Sequence, residues 1–469
     1  MEHDAPPTRS RYVVLGFLGT LASVLYLDRL CIAQAEISIR DDLGLTKSQM
    51  GFVFGAFTIA YGLFEVPTGR WGDRYGSRGV LTRIVLWWSA FTALTGCVPA
   101  FSYGDGFQFA IGEQSVSIPP LVSSLGLLLV IRFLFGAGEA GALPNTARVV
   151  SRWFPFHERG WAQGVVLTSM QIGMVSSPIM AAALINVVGW RWSFVLFGSM
   201  GLVWGGLFYW WFRDEPSLHP GVNDAERALI AAGTAPAGSE ESHPPIPWRL
   251  VGRSLNVWML GIIMSALSFA SYMYMFWMKT YLIEGRGVGK DEAAWLTTLA
   301  LSGGPLGAFC GGFFSTWVVR LTGERRWSRS LLGSGCVTGC ALFLGATMFC
   351  DSPYVACICF ALAGFCSQAQ ISNWWAAVMD ISGKHLGALF GLMNSMGVVG
   401  GFTSPIFLGS FADYRKRLGY TGRAQWDSAF YVYAGILLFG ALCWLFVDST
   451  KSAVEEAEPN REDPASGEH

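Results

Sequence analysis

Apolar stretches long enough to cross a bilayer recur about twelve times along this chain, and no other feature so narrows what it can fold into. Six lie near 12–34, 50–67, 80–99, 122–147, 161–185 and 191–212. A polar stretch rich in Pro, Ala, Gly and Glu follows from Arg213 to about Arg253. Six more lie near 255–282, 294–319, 330–350, 354–379, 386–411 and 428–447. The reading is an all-α membrane protein of two six-helix bundles, 1–212 and 255–448. A cytoplasmic linker (213–254) joins them, and a short acidic tail (449–469) follows.

Composition supports this. Charged residues make up 14% of the chain, where soluble domains carry about 25%. The 57 glycines allow close helix approach, and the 20 tryptophans suit membrane interfaces. With a net charge of -1 and no basic tract, nucleic acid is not an expected partner. The ten cysteines, including Cys336, Cys340, Cys350, Cys357, Cys359 and Cys366, lie mainly in apolar runs without metal-like pairing and read as packing residues. No metal or cofactor is expected. The first apolar segment contains Asp28 and Arg29 and lacks a cleavage site, so it reads as a retained span.

Charge sets the orientation. With both termini cytoplasmic, roughly 20 of the 32 Lys and Arg fall on the inner side and about 9 outside, with Arg29, Arg132 and Lys279 inside spans. The loop carrying Arg415, Lys416, Arg417 and Arg423 dissents. The outer segment 100–121 has no basic residue; a cover over the outer mouth and an insertion without function are both open readings.

Between the second and third spans runs Gly69-Arg70-Trp71-Gly72-Asp73-Arg74-Tyr75-Gly76-Ser77-Arg78. Asp73 at a helix end suits pairing with a basic residue or a helix N-terminus of the other half, latching the inner side; glycines allow the tight turn. The arginines alone would also serve positive-inside topology. The pattern resembles the loop signature of the major facilitator superfamily in Gly69, Asp73, Arg74, Gly76 and Arg78. That resemblance implies two bundles rocking about a central cavity.

Ionisable groups inside spans are costly and mark function by default. Asp28 and Arg29 are adjacent, diverging by about 100°, so they cannot meet one partner alike. Arg132 and Glu139 are seven apart and share one helix face. A carboxylate withdrawn from water favours its neutral form, and a neighbouring arginine restores its charge. Arginine's planar fork fits a carboxylate. Asp28 and Glu139 are therefore candidate proton sites, and Arg29 and Arg132 candidate anion clamps. Structural ion pairing is the other reading, though buried pairs add little net stability.

The Tyr26-x-Asp28-Arg29 run resembles the anion:cation symporter family. So do Arg132-x6-Glu139-Ala140 with a following Pro144, the stretch Arg152-Trp153-Phe154-Pro155 with Glu158-Arg159-Gly160, Asn373-Trp374, and Gly391-Leu-Met-Asn394. In the family's sugar-acid carriers the first-span Asp and fourth-span Glu take protons and the two arginines meet substrate. The resemblance carries those roles to Asp28, Glu139, Arg29 and Arg132. Tyr26, Tyr61, Gln171, Asn373, Trp374 and Asn394 are candidates to complete a sugar-acid site, with Trp375 the alternative to Trp374 and helix packing an alternative for each. Lys279 stands where relatives commonly have proline; it either snorkels to the interface or adds a positive charge to the cavity. Asp380 and His385 read as members of the second inner loop.

The expectation is a proton-coupled symporter of a small organic anion, foremost a hexuronate, aldonate or aldarate, acting as a monomer in the plasma membrane (the inner membrane, if bacterial). A carrier of a dicarboxylate, aromatic acid or phosphate ester, and a non-transporting sensor, are the alternatives. H-E-x-x-H and the ATP-binding G-x-x-x-x-G-K-[ST] do not occur, nor does a G-x-S-x-G with catalytic partners, so an enzyme is not expected.

Overall fold

The computed structural model describes residues 6–101, 107–111, 114–118, 123–231 and 248–452; the side chains of 66, 69, 70, 72, 73, 107–111, 114–118, 384 and 386–388 fall outside that description. Among the described residues, nine helices are long and apolar enough to cross a membrane by length and composition. The first half contains α1 (Ser10–Leu43), α2 (Lys47–Tyr75), α3 (Ser77–Gly96), α4 (Ser124–Glu139), α5 (Ala142–Trp153) and α6 (Phe156–Trp211). Helix α6 is two crossings in one, because Gly189 at φ 79° turns the chain between them. At 29 and 20 residues, α2 and α3 supply two further crossings, which completes the expected twelve. A hairpin of β1 (Phe107–Ile111) and β2 (Gln114–Ile118) interrupts the otherwise helical chain, pairing Phe107 with Ile118.

Short helices α7 (Asp224–Ala231) and α8 (Trp248–Val251) precede the second half. This contains α9 (Leu255–Thr280), α10 (Lys290–Thr322), α11 (Arg325–Ala346), α12 (Pro353–Ser382), α13 (Leu386–Arg417), the short α14 (Arg423–Trp426) and α15 (Ala429–Phe446). Helix α9 runs on into a π-turn over Tyr281–Gly285. Packing follows small residues. Along α10, a Cβ at Gly303, Gly307 or Gly311 would meet the α12 carbonyls of Ala361, Phe365 and Ala369 at 1.7, 2.1 and 2.4 Å. This small-residue stripe is how membrane helices gain dispersion contact without a hydrophobic drive.

An even number of crossings returns the chain to its starting side, here termed the terminal face. The halves meet through α2 with α13, α6 with α10, and α1 with α9. Among the described residues, every hydrogen bond and ion pair between the halves lies toward the opposite face. Lys279 Nζ donates to the Gln34 carbonyl (2.7 Å), Thr280 Oγ1 to Glu36 (2.7 Å), and the Ser48 N–H to Asp413 (2.7 Å). Glu284, on the π-turn, accepts from Arg40 and from Lys47 (3.0 Å). Thr298 on α10 reaches the Val175 carbonyl of α6. Lys279 is buried and ties α9 to the backbone of α1.

At the terminal face the ties among the described residues stay within each half. Helix α7 folds back on α1. Glu226, fully buried, accepts the backbone N–H groups of Ser10 and Arg11 (both 3.2 Å) and pairs with the Arg11 guanidinium (3.1 Å). A carboxylate on the free N–H groups of a helix start satisfies donors that have no partner within the helix and meets the positive end of its dipole. His219 packs between Trp153 and Trp211, its Nδ1 accepting the Gly221 N–H. In the second half, Arg329 pairs with Asp380 (3.2 Å) and Arg326 with Asp448 (3.5 Å).

Candidate functional site

The fourth crossing is broken where the site needs it. Ser123 caps α4 by accepting the Gly126 N–H (3.1 Å), and α4 ends at Glu139. Gly141 restarts the chain at φ 86°, with the Thr68 hydroxyl 2.5 Å from where a Cβ would sit, so only glycine fits. Asn145 Nδ2 then bonds the Gly141 carbonyl (2.7 Å), steadying the α5 start. Glu139 consequently stands at a helix C-terminus, whose partial negative charge attracts a cation. Arg29 of α1 supplies it: Nε donates to Glu139 Oε1 at 2.9 Å, and Nη2 reaches the same oxygen.

Around this pair the charges are densely set. Glu139 is fully buried, Asp28 and Arg132 are 1% exposed, and Arg29 is 7% exposed. The second carboxylate oxygen of Glu139 has no hydrogen-bond partner among the described residues, nor do Nε and Nη2 of Arg132. Asp28 makes no hydrogen bond to Glu139, although Glu139 lies within its electrostatic reach. Both its oxygens lack a partner at hydrogen-bonding distance; Trp88's indole N–H, likewise unmatched, faces it, and Arg132 lies within its electrostatic reach. Aromatic rings flank both guanidinium groups. The Arg29 guanidinium lies 4.8, 4.9 and 5.0 Å from the ring centres of Tyr26, Phe57 and Tyr61, and Arg132 lies 4.5 Å from Phe135 and 5.3 Å from Phe57. Such faces hold a cation without neutralising it.

Of the residues expected at the site, Tyr26, Asp28, Arg29, Tyr61, Arg132 and Glu139 come together. Asn373 and Trp374 are engaged elsewhere in the second half. Asn373 has both ends of its amide engaged, donating to the Arg329 carbonyl (2.8 Å) and accepting from Ser315 (3.1 Å), so it braces α12 against α11 and α10. Trp374 is fully buried and donates to the Leu260 carbonyl (2.9 Å), whereas Trp375 is 44% exposed. Both rings lie edge-on to Phe390. Gln171 and Asn394 are half-buried on α6 and α13, and no hydrogen bond among the described residues joins either to the arginines.

The gate motif lies within the first half. Gly76 carries φ 81° between α2 and α3, with Asp214 packed against it. Asp214 accepts the Arg78 backbone N–H (2.9 Å), and the Arg78 side chain donates to the Tyr209 carbonyl (2.9 Å). Arg74 is exposed beside Tyr75. Gly69 and Asp73 belong to α2, but their side chains lie outside the described residues.

The sequence reading missed several groups. Glu65, one turn along α2 from Tyr61, lies within electrostatic reach of Arg29; the rule that intramembrane carboxylates matter would have found it. Tyr272 of α9 also lies near Arg29 and brings the second half to the cluster. Deeper in that half, Ser271, Tyr274, Ser367 and Gln368 line a cavity of about 50 Å³ that Met174 of α6 completes. Gln370, buried on α12, has neither end of its amide paired among the described residues.

A family model described as Major Facilitator Superfamily matches residues 16–405 and 326–467. A probable sulfoacetate transporter of Cupriavidus necator is 29% identical over 441 residues, 94% of each chain. A probable galactarate/D-glucarate transporter of Escherichia coli K12 is 30% identical over 417 residues, 86% of this chain and 87% of its own. Among solved structures, a bacterial homolog of the human lysosomal transporter Spinster, inward-facing and unoccupied, superposes with a TM-score of 0.73 at 17% identity. It covers 97% of this chain and 99% of its own. The chain belongs to the major facilitator superfamily, within its anion:cation symporter family, and is a multi-pass membrane transporter, not an enzyme.

Proposed function

We propose that this transporter couples the uptake of a small organic anion, foremost a sugar acid, to protons. The observation that carries the reading is the buried Arg29–Glu139 pair beside Arg132, whose Nε and Nη2 have no hydrogen-bond partner among the described residues. An anion seated there meets two guanidinium forks at a depth where water competes little. When it takes the fork of Arg29 it displaces Glu139, whose carboxylate then favours a proton over an unpaired buried charge. Asp28, adjacent to Arg29 and in reach of Arg132, is the second proton carrier. Binding and protonation therefore assist one another, which is the requirement for symport.

The terminal face is cytoplasmic in this reading, in line with the excess of Lys and Arg on that side, and the protein works as a monomer of the plasma membrane. The cross-half ties toward the opposite face then describe an inward-facing state. On closure of the inner side, Asp73 with Arg74 and Arg78 meets the other half. The named substrates of the Escherichia coli relative favour an aldarate. The Cupriavidus necator relative favours a second reading, a compact sulfonate-bearing dianion.

Reconstituted protein tests this directly. Uptake of labelled galactarate, glucarate, galactonate and hexuronates is measured with and without an inward proton gradient, with sulfoacetate as competitor. Sugar-acid uptake accelerated by the gradient and lost in Arg132→Ala is the expected result. Gradient-independent uptake would remove the proton coupling. Uptake of sulfoacetate alone would move the substrate to the second reading.

A further inference from the structure

Cys350 and Cys359 lie with their sulfurs 4.0 Å apart at the face opposite the termini. Both are half-buried, and all ten cysteines are free thiols in this structure. Cys350 follows α11 in extended backbone (φ -88°, ψ 121°), so no helix fixes its χ1; its thiol makes only a weak bond to the Ala346 carbonyl (3.2 Å). Cys359 projects from the second turn of α12. Two residues earlier, Cys357 is fully buried on a different side of that helix, so α12 offers one sulfur and not the other.

The corner carrying Cys350 is held still by two arginines. Arg286 donates to the Cys350 carbonyl and, from Nη2, to the Thr347 carbonyl (2.6 Å). Arg423 donates to the Met348 carbonyl (2.6 Å) and to Asp351 (2.7 Å). Both arginines tie back to Tyr281 or Asp427, beside the π-turn that presents Glu284 to the first half. A thiol on a fixed corner, opposite another on a rigid helix, pays little entropy to pair.

We infer that Cys350 and Cys359 are a disulfide-forming pair that staples the α11–α12 corner in an oxidising compartment. The inference rests on the proposed orientation, which puts this face outside the cytoplasm, where disulfides persist. The sulfurs must close from 4.0 Å to about 2.0 Å, within reach of a rotation of Cys350. The oxidant is a protein or small-molecule disulfide. One cysteine thiolate attacks it, forming a mixed disulfide and releasing one thiolate. The other cysteine then attacks its partner's sulfur and releases the second. The cysteine pair loses two electrons and two protons, and the oxidant leaves as a dithiol.

The test uses the full-length protein in intact cells. Free thiols are blocked with a permeant maleimide, and peptides are mapped by mass spectrometry without reduction. A linked 350–359 peptide, lighter by two hydrogens than the dithiol, is the expected result. In Cys350→Ser, Cys359 becomes alkylated. A second readout is thermal: reductant lowers the wild-type Tm by a few degrees and leaves Cys350→Ser/Cys359→Ser unchanged. Cys97, exposed at the end of α3 on the same face, reports orientation through an impermeant maleimide. Full alkylation of Cys350 and Cys359 while Cys97 labels from outside overturns the staple and leaves the proposed transport standing. Cys97 labelling only after permeabilisation overturns the orientation itself.

Discussion

The two bundles share a helix plan and divide the chemistry. At mid-depth the first holds Asp28, Arg29, Glu65, Arg132 and Glu139 among aromatic rings. The second offers Ser271, Tyr272, Tyr274, Ser367, Gln368 and Gln370, and its spans carry charge only toward their ends, at Lys279 and Asp380 for example. Ionised groups respond to protons and anions; hydroxyls and amides respond to the shape of a polar body. On the proposed reading the first half supplies the proton sites and the anion clamp, and the second half the fit to the rest of the substrate.

The largest way to break that contrast is Glu139→Gln. It keeps the volume and removes the titration, so binding persists while acceleration of uptake by a proton gradient disappears; unchanged coupling would take Glu139 out of the proton path. Arg29→Lys keeps the charge and loses the fork. Losing one charged hydrogen bond of about 1.5–3 kcal/mol weakens anion binding by roughly 10- to 100-fold. Calorimetric titration measures it, and an affinity within twofold of wild type would make Arg29 a structural partner of Glu139.

Smaller effects separate the two faces. Glu284→Gln removes the negative charge that holds Arg40 and Lys47 across the halves. Partly exposed pairs are worth at most about 1 kcal/mol each, so stability changes little while the population shifts severalfold toward opening of that face. A thiol placed at Gln34, now 5% exposed, reads this as faster maleimide labelling. The smallest effect concerns His219. Burial pushes its pKa below the usual histidine value, so the folded chain binds fewer protons there than the unfolded one. Its contribution is present above about pH 6.5 and fades as pH falls through that range. The wild-type Tm should therefore drop more than that of His219→Gln between pH 7.5 and 5.5, by about a degree or two.

The spans were legible because a bilayer leaves little choice of composition, and the charged cluster because four ionisable groups in two spans stand out against it. Glu65 escaped because it sits two residues from the expected end of its span, where charge is ordinary. The neutral polar groups of the second half carry no such contrast: Gln370 and Asn373 look alike in sequence, yet one amide is engaged at both ends and the other at neither. The break after Glu139 was foreshadowed by Gly141 and Pro144 but read as continuous helix. The docking of α7 on the start of α1 through Glu226 depends on a contact between positions 216 residues apart, which no local pattern announces.

Gly189 has a practical consequence for anyone mapping this protein. A single residue carries the chain from one membrane crossing into the next, and Arg191 and Trp190 on its far side are moored to Asp42. That corner offers no unstructured loop to a protease, an antibody epitope or a reporter fusion. An inserted tag there must break two helices at once, so its failure to express would say nothing about which side of the bilayer the corner faces.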